Sequence, residues 1–492
     1  MALTRAIPSL LVCYGLVAGA PAPEGPKRLS LQEAIQTSLE NNLQVQVARE
    51  TREISRGNVV FNEGSFDWNL GAAYSQSHSE NDYSDSTANS RSLKLSLSRP
   101  FEWGGSFSLG YTPSYSSSRV PNLGGVLSGT GGASTPYSAG LSLSYVQPLL
   151  RNFGRETSES ALIVARKGAQ QADLTFQKSI IDLVANTESL YWDVVYAQRN
   201  LDNKKQALAL AKKQLKENQI RVEVGTLAPI EVTSAEAAVA QKEQEIIAAE
   251  AQLLNAKDAL LRALYPTSER PSGLELTDAP SIKPLDLEET AAEKLALDHR
   301  VELKSARLDV ESKQVLETAA RNRLKPQLDL GLSYSGAANS YTALGPANTD
   351  IAKSKIPTYG ASLTFSLPIA NRAAKGTEIQ ARANRRSSEL TLHDLELGIV
   401  LEVRQALRNL DASEKGVKAA EKTRIFREKN LEAEQKKFEN GMSTNFFVLQ
   451  RQDELDQARS SELQAQITYA KAVTSLEKAV GNLLEARKLE VR

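Results

Sequence analysis

The chain has one cysteine and three histidines in 492 residues, too few ligands for a disulfide framework or a structural zinc site. An excess of either charge is missing too. Lys plus Arg and Asp plus Glu stand at 59 each, which removes the basic footprint of a nucleic-acid binder. After residue 20 no run approaches the roughly 20 apolar residues that a membrane-crossing helix needs. With 41% apolar residues and a mean hydropathy of −0.35, a bundle of such helices is excluded. No His is spaced with Ser or Cys as a nucleophile pair would be. The Gly-rich stretch GGVLSGTGGAS at 124–134 lacks the Lys-Ser/Thr pair of a phosphate loop. No catalytic, cofactor-binding or metal-binding residues are read from this chain, and any membrane link must come from a weaker pattern.

What is present begins with a leader. Arg5, the apolar run Ile7–Ala20 and the small residues after it read as a secretory signal over 1–22, cut after Gly19. Cys13 lacks the small preceding residue of a lipidation box and reads as unlipidated. The mature chain then has no cysteine, in keeping with an oxidising compartment.

Beyond the leader, unlike segments alternate. Residues 29–62 read as a helix with Ser30 as N-cap and Glu33 completing a capping box. Residues 66–150 are rich in Ser, Gly, Asn and Tyr, with apolar residues at every second position, as in Leu93, Leu95, Leu97 and Leu141, Leu143, Tyr145. Period two predicts half-exposed strands. A helical hairpin follows over 155–265, then a proline-bearing connector over 266–290. A helix to 325, strands over 327–370, a second helical hairpin over 375–486 and a tail at 487–492 complete the chain.

This is an internal repeat, 23–265 against 291–486. The strand exits YVQPLLRNFGRE and FSLPIANRAAKG correspond, and so do the helical breaks VEVGTLAPIEV and FENGMSTNFFV. At about 1.5 Å per residue, 155–224 predicts a rod of roughly 105 Å, returned by two shorter helices end to end. Ile180, Val194, Leu201, Leu208, Leu215 and Val222 recur at multiples of seven, with Thr187 the exception, which predicts coiled-coil-like packing. The strand blocks carry about one charge per ten residues against roughly 29% elsewhere. Apolar residues on one face and small polar ones on the other is the pattern of a water-filled transmembrane barrel. Such strands cross lipid only in a closed ring, so several protomers must contribute. A soluble β-rich head on a coiled-coil stalk, structural or adhesive, also fits the alternation.

The opening LSLQEAIQTSLENN, the exit YVQPLLRNFG, the stretch ESLYWDVVYAQRNL and the paired turns, in this order and duplicated, resemble the TolC family of outer-membrane efflux proteins over essentially the whole mature chain. The resemblance implies a mainly α fold: long antiparallel helical hairpins, plus strands given to a trimeric transmembrane β-barrel. It places the barrel in the outer membrane of a Gram-negative-type cell and the helical tunnel in the periplasm. It further implies a homotrimer in outer-membrane lipid, a periplasmic adaptor, an inner-membrane pump of RND or ABC type, and no catalysis by this chain. Small molecules or proteins would be exported by efflux or type I secretion; a porin acting without partners is the other transport reading. The first strand block has room for four strands instead of the family's usual two. If the extra hairpin at 91–117 enters the membrane, a trimer has 18 strands instead of 12; if it does not, it forms an extracellular or barrel-rim hairpin, and the clean alternation of Leu93, Leu95 and Leu97 favours a membrane-proximal place.

The turns, with Val224, Gly225, Thr226, Leu227 and Asn440, Gly441, Met442, Ser443, would be periplasmic tips that dock the adaptor. Phe447 and Gln450 stand where family members carry a ring of acids, and Ser443 where they carry an Arg. Glu231 matches an acidic position but lacks its basic partner. A hydrophobic constriction by Phe446 or Phe447 is the expectation in its place, weighed evenly against both rings packing between helices; Asp453 and its neighbour Glu454 read first as an exposed acidic helix face and second as a source of cation preference.

Overall fold

The computed structural model describes residues 27–81, 86–119, 136–266, 271, 273–282, 287–353 and 357–489. The leader with Cys13 and the Gly-rich segment 124–134 lie outside the described residues. The elements are β1 (Lys27–Leu29), α1 (Leu31–Asn41), α2 (Leu43–Glu63), β2 (Asn69–Asn81), β3 (Ser86–Pro100), β4 (Ser106–Arg119), β5 (Tyr137–Pro148), α3 (Arg155–Ser158), α4 (Ser160–Glu223), α5 (Ile230–Leu264), β6 (Leu274–Leu276), α6 (Glu289–His299), α7 (Val301–Asn322), β7 (Gln327–Ser340), α8 (Leu344–Ala352), β8 (Pro357–Ser366), α9 (Arg372–Glu439), α10 (Asn445–Val480) and α11 (Leu483–Ala486).

Contacts divide the chain into two units that cut across the sequence repeat. One holds the described parts of 1–43, 182–286 and 408–476; the other holds those of 44–181, 287–407 and 477–492. Each unit therefore draws on both halves of the sequence.

The first unit contains both helical turns. Its chain opens with the capping box: Ser30 Oγ accepts from Glu33 N, and Glu33 Oε2 accepts from Ser30 N at 2.8 Å. β1 pairs in parallel with β6 of the connector, Leu29 opposite Leu276. Below them Leu29, Tyr191, Trp192, Val195, Leu260 and Ile467 form a core. Tyr191 is fully buried; its hydroxyl lies 3.1 Å from Leu29 O and 3.0 Å from Asp278 Oδ2. Burial raises its pKa above the ordinary phenol range.

The seven-residue seam holds only in part. Ile180, Val194 and Leu201 are buried, and Thr187 is buried with its hydroxyl on Ser38 Oγ at 3.0 Å. Towards the turn Leu208, Leu215 and Val222 are half-buried, and the fully covered positions shift to Ala211, Gln214 and Asn218. A straight helix drifts about 20° per heptad, so a strict repeat does not stay on one face of it.

The second unit contains a six-stranded antiparallel sheet in the order β2-β3-β4-β5-β7-β8. All four strands of the first block, the extra hairpin included, join this one sheet. The 327–370 block is not strand throughout: α8 interrupts it and packs Ala347 against Ala139 and Ala338. Two helices read as continuous are broken. Asn42 takes an extended ψ of 126° between α1 and α2, and Arg300 a ψ of 122° between α6 and α7. Arg300 is 9% exposed, donates to Ala479 O at 3.2 Å, and pairs with Glu302 and Glu402 at 3.1 and 3.0 Å. Burial works against its charge, but the two carboxylates outweigh burial and raise its pKa.

Candidate functional site

Two features have the chemistry of a site, one in each unit. In the first unit the paired turns are built alike. Gly225 and Gly441 both have φ of +73°, the left-handed region that a side chain disfavours. Thr226 N reaches Arg221 O at 2.8 Å and Gly225 N reaches Val222 O at 2.9 Å; Met442 N to Lys437 O and Gly441 N to Phe438 O repeat the pattern. Both helices thus end in Schellman motifs that satisfy their last carbonyls. Arg221 joins the two ends, with its guanidinium 4.5 Å from the Phe438 ring and Nη1 donating to Phe438 O at 3.2 Å.

Just inside the turns lies a buried amide network. Asn445 is fully buried; its Nδ2 donates to Glu231 Oε2 at 3.2 Å, and its Oδ1 accepts from Gln214 Nε2 at 3.1 Å. Gln214 also donates to Asn218 Oδ1 at 3.0 Å. Glu231 therefore has a partner after all, a neutral amide. Ser443 donates to Glu434, and this bond, with the charges of Lys437 and Arg451, holds the Glu434 carboxyl below its usual range.

Phe446 and Phe447 are 66% and 44% exposed and meet edge to face at 5.6 Å. They do not pack between helices of this chain. Val224, Ile230 and Met442 are likewise exposed, while Leu227 packs on Leu431, Phe438 and Val448. Gln450 is exposed without a bonded partner among the described residues. Asp453 does not form a free acidic face: it pairs with Lys242 at 2.9 Å. Glu454 pairs with Arg427 and Arg451. Lys242, 6% exposed, also meets Asp456 at 3.0 Å, and Lys204 bridges Asp456 and Glu245 at 2.8 and 3.0 Å. Burial opposes both lysine charges, but the carboxylates outweigh it and raise their pKa values.

In the second unit the sheet has two chemically distinct faces. Register places Leu70 beside Leu97, Leu97 beside Leu109, Leu109 beside Leu143 and Leu143 beside Tyr334 on one face. The other face is hydroxyl and glycine: Ser75 pairs with Ser92, Ser77 with Ser90 and Ser108 with Ser144, each at 2.7 Å, and Ser114 with Ser138 at 2.5 Å. Aromatic residues band the apolar face. At one end Trp68 meets Phe107 edge to face at 5.7 Å, and Phe101 stacks on Trp103 at 4.5 Å. Arg99 lies 5.5 Å from the Trp68 ring. At the other end stands the pair Tyr115–Tyr137, and Tyr334–Tyr359 lies between, on the row of Leu143. From Tyr137 to Tyr145 the strand covers roughly 26 Å, which a tilt of about 40° projects to about 20 Å, most of the roughly 25 Å apolar band of an outer-membrane barrel.

No helix among the described residues is long and apolar enough to cross a membrane, and none of their His, Cys, Asp and Glu groups is arranged to hold a metal ion.

The profile of the family described as outer membrane efflux protein matches residues 106–264 and 293–482. The outer membrane protein TolC of Vibrio cholerae is 26% identical over 351 residues, 69% of this chain and 78% of its own length. TolC of Escherichia coli K12 is 25% identical over 329 residues, 66% of each chain. Among solved structures, CusC aligns with a TM-score of 0.69 at 16% identity, covering 92% of both chains. VceC of Vibrio cholerae aligns with a TM-score of 0.67 at 16% identity, covering 92% of this chain and 96% of its own.

Proposed function

The chain belongs to the outer membrane efflux protein family, and from that premise we propose that three copies close their sheets into one barrel and act as a passive export duct. It is an outer-membrane protein with a periplasmic helical tunnel. The observation that carries the trimer is the sheet itself. It is apolar on one face and hydroxyl-lined on the other, and its outermost strands, β2 and β8, each have one partner strand among the described residues. An open edge is not tolerated in lipid, where every backbone group needs a partner. β2 and β8 run antiparallel to each other in the sheet order, so β8 of one copy can continue into β2 of the next. Six strands from each of three copies make an even-numbered barrel of about 18.

An inner-membrane pump, RND or ABC type, would supply the energy that a passive duct requires. A periplasmic adaptor would dock at the turns, where Val224, Thr226, Leu227, Asn440, Met442 and Ser443 surround the two glycines. The exposed Val224, Ile230 and Met442 support this, because an apolar patch on a polar tip is suited to a partner. Phe446 and Phe447 would constrict the tunnel by dewetting, with Glu231 holding Asn445 behind them. Small molecules or proteins delivered by the pump are the cargo.

Detergent-extracted protein fused into planar bilayers tests the duct. Discrete channel openings are expected; a protein extracted without detergent that never conducts would instead be a soluble stalk. Currents fully open at rest and indifferent to the adaptor would mark a partner-independent porin.

A further inference from the structure

On the hydroxyl-lined face, the described strands carry just two charged side chains, Lys94 on β3 and Asp329 on β7. The remaining positions there are Ser, Thr, Gly, Ala, Asn, Gln, Val and Pro. The serines largely bond one another across strands, so the wall is neutral between these two groups. Lys94 is exposed, with Ser92 and Ser96 on either side along the strand and the small Ala73 opposite. It pairs with no acid among the described residues. The ladder between β3 and β4 lapses beside it, between Ser92↔Ser114 and Leu95↔Tyr111, where Pro113 has no N–H to give.

Asp329 does not neutralise it. By register Lys94 lies on the row of Thr112, Gly140 and Ala337. Ala337 is eight positions from Asp329 along β7, roughly 26 Å. That exceeds the screening length of about 8 Å at physiological salt. Asp329 also accepts from Gln327 at 2.6 Å at the strand's start.

We propose that Lys94, repeated three times round the closed barrel, forms a cationic ring that makes this part of the duct a binding site for multivalent anions. The inference rests on the trimeric barrel, in which the hydroxyl face becomes the lumen. Rings of like charge set selectivity in pores because low-dielectric walls concentrate their field. Anionic cargo would be favoured here whatever the tips select, and the residue responsible sits on the hairpin added to the family's usual strands.

Ferrocyanide provides the probe. In bilayers at about 0.1 M salt, where screening reaches about 10 Å, it is added to each side of the wild-type channel in turn. Voltage-dependent block is expected from one side. In Lys94→Gln the half-blocking concentration should rise at least about tenfold, while Lys94→Arg and Asp329→Asn retain the block. Block of equal strength in wild type and Lys94→Gln, with both conducting, overturns the ring and leaves the duct standing. A wild-type protein that inserts but passes no current removes the duct and the ring together.

Discussion

Asn445, fully buried at the start of α10, donates from Nδ2 to Glu231 Oε2 on α5 at 3.2 Å. The contact joins the two repeats directly behind their turns, through an amide in place of an ion pair. Replacing Asn445 with Ala leaves the buried Gln214 amide with Asn218 as its one remaining acceptor among the described residues and removes the donor to Glu231. A cost of about 1–3 kcal/mol is expected. Hydrogen exchange should quicken in the first turns of α5 and α10 and remain unchanged in the sheet.

Phe446 and Phe447 give the gate its test. If the rings narrow the tunnel, Phe447→Ala raises resting conductance in planar bilayers, and the double Ala variant raises it further. Unchanged conductance in both single variants would assign the rings to surface roles.

The cluster of Lys242, Lys204, Glu245, Asp453 and Asp456 ties α4, α5 and α10. Lys242→Met strands buried Asp456 beside Lys204 alone, and a loss of about 3 kcal/mol is expected. The pH window follows from the directions of shift. Burial opposes the Glu245 charge, but its lysine partners outweigh burial and lower its pKa, so its contribution is present above about pH 4.3 and lost as pH falls through the lowered value. The two lysines are raised, so theirs is present below about pH 10.4 and lost as pH rises through the raised values. Protection of these helices against exchange should hold between those limits and fall beyond either one.

Glycine substitutions should separate turn from helix. Gly441→Ala places a Cβ in open space but at φ +73°, and about 1–2 kcal/mol should be lost to backbone strain. Gly416→Ala also meets nothing within 4 Å, inside α9 at ordinary helical angles, and should gain roughly 0.5–1 kcal/mol. Chemical denaturation of the two variants gives opposite signs.

Period-two alternation made the strands legible, because each residue's neighbours two positions away share its face. The repeat made the turns legible, since Gly225 and Gly441 align without gaps. What escaped depends on contacts far along the chain. The breaks at Asn42 and Arg300 are set by caps in the opposite direction: Asn42 donates to Ala263 O and Arg300 to Ala479 O, each at 3.2 Å. A signal existed, because 42 and 263 map onto 300 and 479 through the repeat, but two polar residues within helical patterns read as solvent-facing. Gln214, Asn218 and Lys242 were invisible for the same reason. Gln214 and Lys242 meet Asn445 and Asp456 of α10, more than 200 residues later, and Asn218 bonds Gln214 and Glu231 O. Asp453 reads as an exposed acid because its cation, Lys242, lies more than 200 residues earlier in the chain. Helix α8 was hidden within a strand block, seated on alanines that single-residue alternation does not distinguish from strand.

The central claim is that β8 of one copy pairs with β2 of the next to close a three-chain barrel. Cysteines placed at Ala73 on β2 and Ser362 on β8, treated with short bismaleimides in outer membranes, test it directly. The account predicts a covalent trimer on denaturing gels for the double variant and none for either single variant. A double variant that stays monomeric while both cysteines react with maleimide would contradict it.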